Sequence, residues 1–418
     1  MDLEVLEVGL HQDNIMTSNR HDFFKKYFDV FAWYDIDEYA CFDVLTVSKS
    51  TVEKIQNITS NVWSVLLKAS DVMRDQDNKS LIEFGYPPET FRLLRQSEQL
   101  PFIARCDFAV TNKGIFLLEC NAEVATFIVE TFRVNGLVAK HFGKQDPNLD
   151  AEEILKRELN KYINLTANYL SKPVENCRVV FAAMDESIED MGTAKYLCSL
   201  CDYNSSFCSI ESIGMDTNWA YGKDGEIIDI IYRIYPTEWM VEDLAPESGA
   251  RLWDFLEPLV FNKKVALINP VNTLITQNKS LMALITKLGS SFFGNYSKTV
   301  KENFLSTFLD KEKIDIPFVS KPIFGREGVE IKIVTDKAET AYNSSSDYEH
   351  LPVVYQEYVE MPETVFQGNN FTLQFSCFLI NGIAVGVSAR IGSKIIDNTA
   401  KFLPIGYLEK SLYVALTD

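Results

Sequence analysis

No stretch of the 418-residue chain approaches the length of an apolar membrane span, and no basic-then-apolar segment opens it. A membrane protein is therefore not expected and a cytoplasmic one is; the N-x-S/T triplets at Asn57, Asn164, Asn278 and Asn295 then carry no weight. Positive charge is also short. Lys and Arg number 40 against 59 Asp and Glu, a net charge of -19, so global repulsion from phosphate excludes a general nucleic-acid binder. Histidine is scarce: His11, His21, His141 and His350 are scattered along the chain. Cys198 and Cys201 have redox or zinc spacing, but no second CxxC or His pair completes a structural zinc site. Most of the eight cysteines lie in apolar runs, where cysteine acts as a small hydrophobe. There is no Walker phosphate loop, no internal repeat and no low-complexity segment. What remains is an ordinary globular composition, 46% hydrophobic and 24% charged, long enough for two or three domains.

Residues 1–95 read as mainly helical. Val52, Ile55, Ile58, Val62, Val65, Leu66 and Val72 fall at helical spacing over 51–74, and Gly85-Tyr86-Pro87-Pro88 ends that pattern before a short helix over 89–100. Residues 96–175 hold a hairpin at 102–123, a helix over 125–143 that enters from Asn121, and a helix over 151–171 opened by Asp150 and Glu153 in the manner of a capping box. Residues 176–270 alternate strand, helix, strand (176–183, 189–202, 206–212, 227–235), which predicts a small α/β domain with parallel strands. Acidic Asp185-Glu186 follows one strand end, a ligand-side position that also suits a helix N-cap region. Residues 271–418 carry a helix after Lys279, a strand–glycine loop–strand unit at 316–336, a strand at 353–359, and a hairpin 371–390 turned by Asn381-Gly382. Asn343–Asp347 is the least structured stretch.

Two places carry chemistry. Side chains alternate across a strand, so pairing position 107 with 119 and 105 with 121 brings Arg105, Asp107, Glu119 and Asn121 to one face of the hairpin. The even set, Cys106, Phe108, Val110, Phe116, Leu118 and Cys120, is apolar. Two carboxylates and an amide oxygen suit Mg²⁺, and the guanidinium suits an anion; a solvated face with ordinary cross-strand ion pairs would carry the same residues. The second place is Lys321-Pro322-Ile323-Phe324-Gly325-Arg326-Glu327-Gly328. Its glycines let backbone amides approach phosphate and its lysine adds a point charge, although G-x-x-G also marks plain hairpin turns. Lys279 at a helix start, Gln356-Glu357-Tyr358-Val359 as a hinge for adenine, and Arg390 closing a hairpin fit the same nucleotide cleft; each is also readable as a bland surface or strand residue.

As a set these residues resemble the ATP-grasp ligases, with the metal residues ahead of the lysines. That permuted order looks like the synthetase domain of the glutathionylspermidine synthase family, matched by Arg105-Cys106-Asp107, Glu119-Cys120-Asn121, the 321–328 loop, Gln356-Glu357 and the strand at 231–239. The resemblance covers roughly residues 85 to 410. It implies an α/β (α+β) permuted ATP-grasp fold with a small α/β pre-ATP-grasp domain and a helical N-terminal region. It further implies Mg²⁺ on Asp107, Glu119 and Asn121. ATP would lie on Arg105, Asp107, Lys279, Lys321, Gly325, Arg326, Glu327, Gly328, Gln356, Glu357, Tyr358, Val359 and Arg390, with Arg105 as the catalytic residue. Glu123, Thr126 and Glu238 would adjoin substrate.

The implied reaction joins a small-molecule or short-peptide carboxylate to an amine such as a polyamine, through an acyl phosphate and with release of ADP. The alternatives are an ATP-dependent phosphotransferase on the same scaffold and a non-catalytic nucleotide-binding homologue. The chain departs from the family at Glu123-Val124-Ala125-Thr126, where members carry Asp and small hydroxylated residues that meet a peptide; Val124 offers no hydroxyl, which counts against glutathione as the acid. No amidase domain with a Cys-His pair is expected.

Overall fold

The computed structural model describes residues 16–407 apart from 97–98, 246–247, 337 and 342–350. The stretch Asn343–Asp347 therefore lies outside the described residues, as do His11 and His350. A six-stranded antiparallel sheet forms the centre. Its strands run Lys401–Leu403, Ile383–Gly392, Asn369–Ile380, Ile103–Thr111 and Gly114–Asn121, with Glu363–Phe366 also pairing with Asn369–Ile380. The sheet thus joins the expected metal hairpin to the hairpin 369–392 from the far end of the sequence.

Both faces of this sheet are covered, which explains why nine of the ten residues of FTLQFSCFLI (371–380) are buried and most of them apolar. Cys377 and Leu379 pack with Val62 and Leu66 of the helix Lys49–Arg74, whereas Phe378 and Ile380 pack with Leu155 and Leu159 of the helix Ala151–Tyr169. The first helix starts where Ser48 accepts a hydrogen bond from the Thr51 amide at 3.1 Å, and its buried stripe recurs at the helical period. Asp150 makes no side-chain cap, so the second helix begins without the expected capping box. The helix expected over 89–100 is shorter, reduced to a turn at Pro88–Thr90 and Phe91–Leu94.

Two further sheets flank the centre. Ala266–Ile268, Ile230–Ile234, Val179–Ala183 and Ser205–Ser209 form a four-stranded parallel sheet, with the helix Ile188–Leu200 crossing between the last two. Thr307–Phe308, Val353–Glu357, Phe318–Pro322, Lys332–Val334 and Glu339–Ala341 form a five-stranded antiparallel sheet. Asn381 and Gly382 turn their hairpin with φ of 49° and 79°, the positive pair that a tight two-residue turn needs. Among the described residues no helix is long and apolar enough to cross a membrane.

Two local expectations change. The helix after the metal hairpin does not enter from Asn121: residues 122–127 are non-helical, and a π-helical turn at Glu130–Val134 leads into the helix Asn135–His141. Phe127 stands at φ 73°, outside any helix. The hairpin also carries a bulge between Asp107 and Phe108, where Phe108 pairs with Leu117. The extra residue flips the parity of the second strand, so Ile115 and Leu117 are buried in the core while Phe116 and Leu118 are only half-buried.

Candidate active site

Register puts Arg105 opposite Asn121 and Asp107 opposite Glu119, as the alternation requires. Asp107 is fully buried and gathers five donors. These are Arg105 Nε (2.9 Å) and Nη2 (3.0 Å), Ser376 Oγ (2.7 Å), Arg390 Nη2 (3.2 Å) and Asn121 Nδ2 (3.3 Å). Ser376 lies directly across the strand pair from Asp107. The aspartate therefore fixes two guanidinium groups side by side. Burial and the neighbouring Arg105 charge push the Arg390 guanidinium down from its ordinary value, against the pull of Asp107.

Glu119 and Asn121 open on the cleft, whereas Asp107 lies behind them. Burial pushes the Glu119 carboxyl up, but the charges of Lys279, Lys321 and Arg105 outweigh it and bring it to about 2. Lys279 Nζ stands 3.2 Å from Glu119 Oε2 and donates to the Gly325 carbonyl at 2.6 Å. Lys321 Nζ donates to Gln356 Oε1 at 2.8 Å and to the Leu118 carbonyl at 3.2 Å. Burial, with Lys279 adding to it and Glu119 opposing, lowers Lys321 to about 8. Among the described residues no group of three or more His, Cys, Asp or Glu side chains forms a metal cluster. The open donors are one ionised carboxylate and one amide oxygen, with Asp107 fully engaged. Such a set fits a hard cation that keeps most of its sites for phosphate and water.

The glycine loop forms the facing wall. Gly325, Arg326, Glu327 and Gly328 all line the cleft, and so do Lys321, Gln356, Glu357, Tyr358 and Val359. Glu327 and Gly328 hold φ of 52° and 72°, which turns the loop sharply. A Cβ on Gly328 would sit 2.7 Å from the Ile396 carbonyl, so only glycine lets the loop close on that backbone. In the hinge, the Glu357 amide donates to the Ser306 carbonyl (2.8 Å) and the Tyr358 amide to the Pro317 carbonyl (3.3 Å).

Three residues expected at substrate are placed unequally. Thr126 lines the cleft and gives its carbonyl to Arg105 Nη1 at 2.9 Å. Glu123 is buried instead: its Oε1 accepts from Arg233 Nη2 at 2.7 Å, from the Thr237 amide at 2.8 Å, and from the Thr237 hydroxyl. Glu238 pairs with Arg326 at 2.8 Å, drawing that guanidinium toward the parallel sheet. Both carboxylates fasten elements together beside the cleft.

Several residues in the cleft or buried just behind it had no sequence expectation. Gln374, which accepts from Arg390 at 2.7 Å, and Ser376 interrupt an apolar strand at the same two-residue spacing as Arg105 and Asp107. That interruption was a readable signal. Gln277 Oε1 accepts the amides of Ala122 (2.9 Å) and Glu123 (3.1 Å) and pins the end of the hairpin. Tyr39, Glu189 and Asp190 also line the cleft without having been expected there, and Trp239 lines it from the end of the 231–239 segment, which the resemblance covered without giving this residue a role. Burial pushes Asp190 up to about 6, and burial with the Glu130 charge pushes Glu189 well up.

The glutathionylspermidine synthase preATP-grasp family model matches residues 17–407. The bifunctional glutathionylspermidine synthetase/amidases of Escherichia coli (strain K12) and Shigella flexneri are each 20% identical over 344 residues, covering 76% of this chain. The match takes up 52% of each relative, so the chain spans about half the length of these curated proteins. Among solved structures, a glutathione synthetase-like effector from Globodera pallida aligns with a TM-score of 0.60 at 10% identity, covering 95% of this chain and 98% of that one. That likeness speaks to the fold, an α/β arrangement of the ATP-grasp kind.

Proposed function

The chain belongs to the glutathionylspermidine synthase preATP-grasp family, and on that premise we propose that it is an ATP-dependent, ADP-forming carboxylate–amine ligase. The observation that carries this reading is the meeting of Arg105, Glu119 and Asn121 with Lys321 and the 325–328 loop across one cleft. Such a site has charge and position to offer and, among the described residues that line it, no Cys or Ser, which is what phosphoryl transfer to a carboxylate asks of a protein.

In this reading Lys321, Lys279 and the turned amides of Glu327 and Gly328 hold the phosphates of ATP. The Glu357 and Tyr358 amides are spent on neighbouring strands, so a base edge falls to their carbonyls and to Val359. Glu119 and Asn121, backed by Asp107, are the residues that would hold Mg²⁺. Bound there, the ion would neutralise phosphate charge. Arg105 and Arg390, fixed by Asp107, receive the substrate carboxylate and stabilise the oxyanion that develops on it. The carboxylate attacks the γ-phosphate, ADP leaves, and an amine displaces phosphate from the acyl phosphate to give the amide. Asp190 and Glu327 place carboxylates on one wall, which suits an approaching ammonium and favours amide formation over simple phosphotransfer.

An ADP-release screen of amines against carboxylates, including glutathione and γ-glutamyl peptides, tests the proposal. ADP release that needs both partners is the expected result. Absence of Mg·ATP binding in calorimetry sinks the reading.

A further inference from the structure

Amide formation needs a group that phosphoryl transfer does not. An alkylamine arrives at neutral pH as an ammonium, and it must shed a proton before its nitrogen can attack the acyl phosphate. The acidic side chains on the cleft wall are ill suited to take it. Burial and the Glu130 charge push the Glu189 carboxyl well up, so it already holds a proton. The charges that act on Asp190 are Glu327 and Arg326, both of the glycine loop, and not the two arginines that receive the acyl group.

Tyr39 stands beside those arginines. It lines the cleft with Arg105 and Arg390, close enough that its hydroxyl and the two guanidinium groups shift one another's titration. Asp37 and Glu38, just before it, hold φ of 48° and 56°, and its carbonyl accepts from the Phe402 amide at 2.8 Å, so its backbone is fixed in place. The hydroxyl donates to Glu130 Oε1 at 2.9 Å, and Trp33 Nε1 donates to the same oxygen at 2.7 Å. Glu130 has no exposed surface, and its Oε2 has no hydrogen-bond partner among the described residues. With its own proton given to Glu130, the Tyr39 oxygen offers the cleft only lone pairs. We propose that Tyr39 and Glu130 form a proton relay for the amine: the Tyr39 oxygen takes a proton from the ammonium as the Tyr39 proton passes to Glu130. This inference rests on the ligase reading above. In the step that follows, the C–N bond forms and the C–O bond to phosphate breaks. The first ammonium proton ends on the Glu130 carboxylate, the second leaves with phosphate as its monohydrogen dianion, and the third stays on the amide nitrogen. Burial pushes the Glu130 carboxyl up, which strengthens it as the acceptor.

The test compares two nucleophiles at neutral pH on the carboxylate selected by ADP release. One is the alkylamine selected with it, an ammonium at that pH; the other is hydroxylamine, which is largely unprotonated there and traps an acyl phosphate as the hydroxamate. Tyr39→Phe removes the relay oxygen. Glu130→Gln still accepts from Trp33 and Tyr39, so it keeps the packing and loses only the proton acceptor. Each variant is expected to lower kcat for the amide by roughly tenfold or more beyond its effect on the hydroxamate. A merely structural loss lowers both products together. Equal slowing of the two products, or wild-type amide turnover in Glu130→Gln, overturns the relay. Absence of hydroxamate from the wild-type protein overturns the ligase reading itself, and this inference with it.

Discussion

Asp107 explains why the arginines of this cleft are residues that no conservative change should replace. Its five donors include three from guanidinium groups, and two of those come from Arg105 as a fork that lysine cannot reproduce. Arg105→Lys should keep the charge and still lower ligase turnover by about 10²-fold or more, read as ADP release per enzyme. Glu119→Gln should lower turnover at least as much while the folded state survives, since the amide can still accept from Lys279; wild-type turnover in that variant removes Glu119 from the mechanism.

The same residues set two pH responses. Glu119 sits at about 2 in the folded chain against an ordinary 4.5. Its contribution to stability is therefore present above the ordinary value and lost as pH falls toward the folded one. Urea midpoints followed downward from about pH 5 should fall more steeply for the wild type than for Glu119→Gln. Lys321 runs the other way. At about 8 it is lowered from 10.5, so the free protein begins to lose that charge as pH rises through 8. Affinity for Mg·AMP-PNP should weaken from about pH 7 to about pH 9, and Lys321→Met should flatten that dependence.

At the scale of elements, the hairpin was legible because period-two alternation and turn residues are local properties, and its cross-strand pairs stand as the alternation required. The bulge was not legible. Nothing in GIFLLECN says that Leu118 is the inserted residue, and with the parity flipped Leu118 faces the cleft and supplies the carbonyl for Lys321. The non-helical segment 122–127 escaped for a related reason. Its conformation is held by Gln277 and Asn269, distant side chains that donate to or accept from its backbone. The glycine loop was visible as a motif, and its closure on residues 396–397 was not. Gly328→Ala should therefore leave the helical and sheet content intact by circular dichroism yet weaken Mg·AMP-PNP binding by roughly tenfold or more, because both φ and the Ile396 carbonyl oppose a Cβ.

At the scale of the whole molecule, three sheets converge on one cleft, and buried charge fastens them. Glu123, just past the metal hairpin, is bonded to Arg233 on the parallel sheet, with neither side chain exposed. Glu123→Ala strands a buried guanidinium and should cost about 3–5 kcal/mol of stability, seen as a lower melting temperature. Such long-range ties are what the sequence kept hidden: the resemblance puts Glu123 beside substrate, and only Arg233 from another sheet reveals that its carboxylate is tied down there. The family pattern made the fold and most of the cleft readable: of the fifteen residues expected around ATP and metal, thirteen stand on the walls and two, Asp107 and Lys279, just behind them.

The central claim is that this cleft phosphorylates a carboxylate. A carboxylate selected by ADP release, labelled with heavy oxygen in its acid group, tests it directly in the presence of ATP, Mg²⁺ and the amine. One labelled oxygen should appear in inorganic phosphate for each amide formed. Amide formation with the label retained wholly in the amide and unreacted acid, and none in phosphate, would contradict the account.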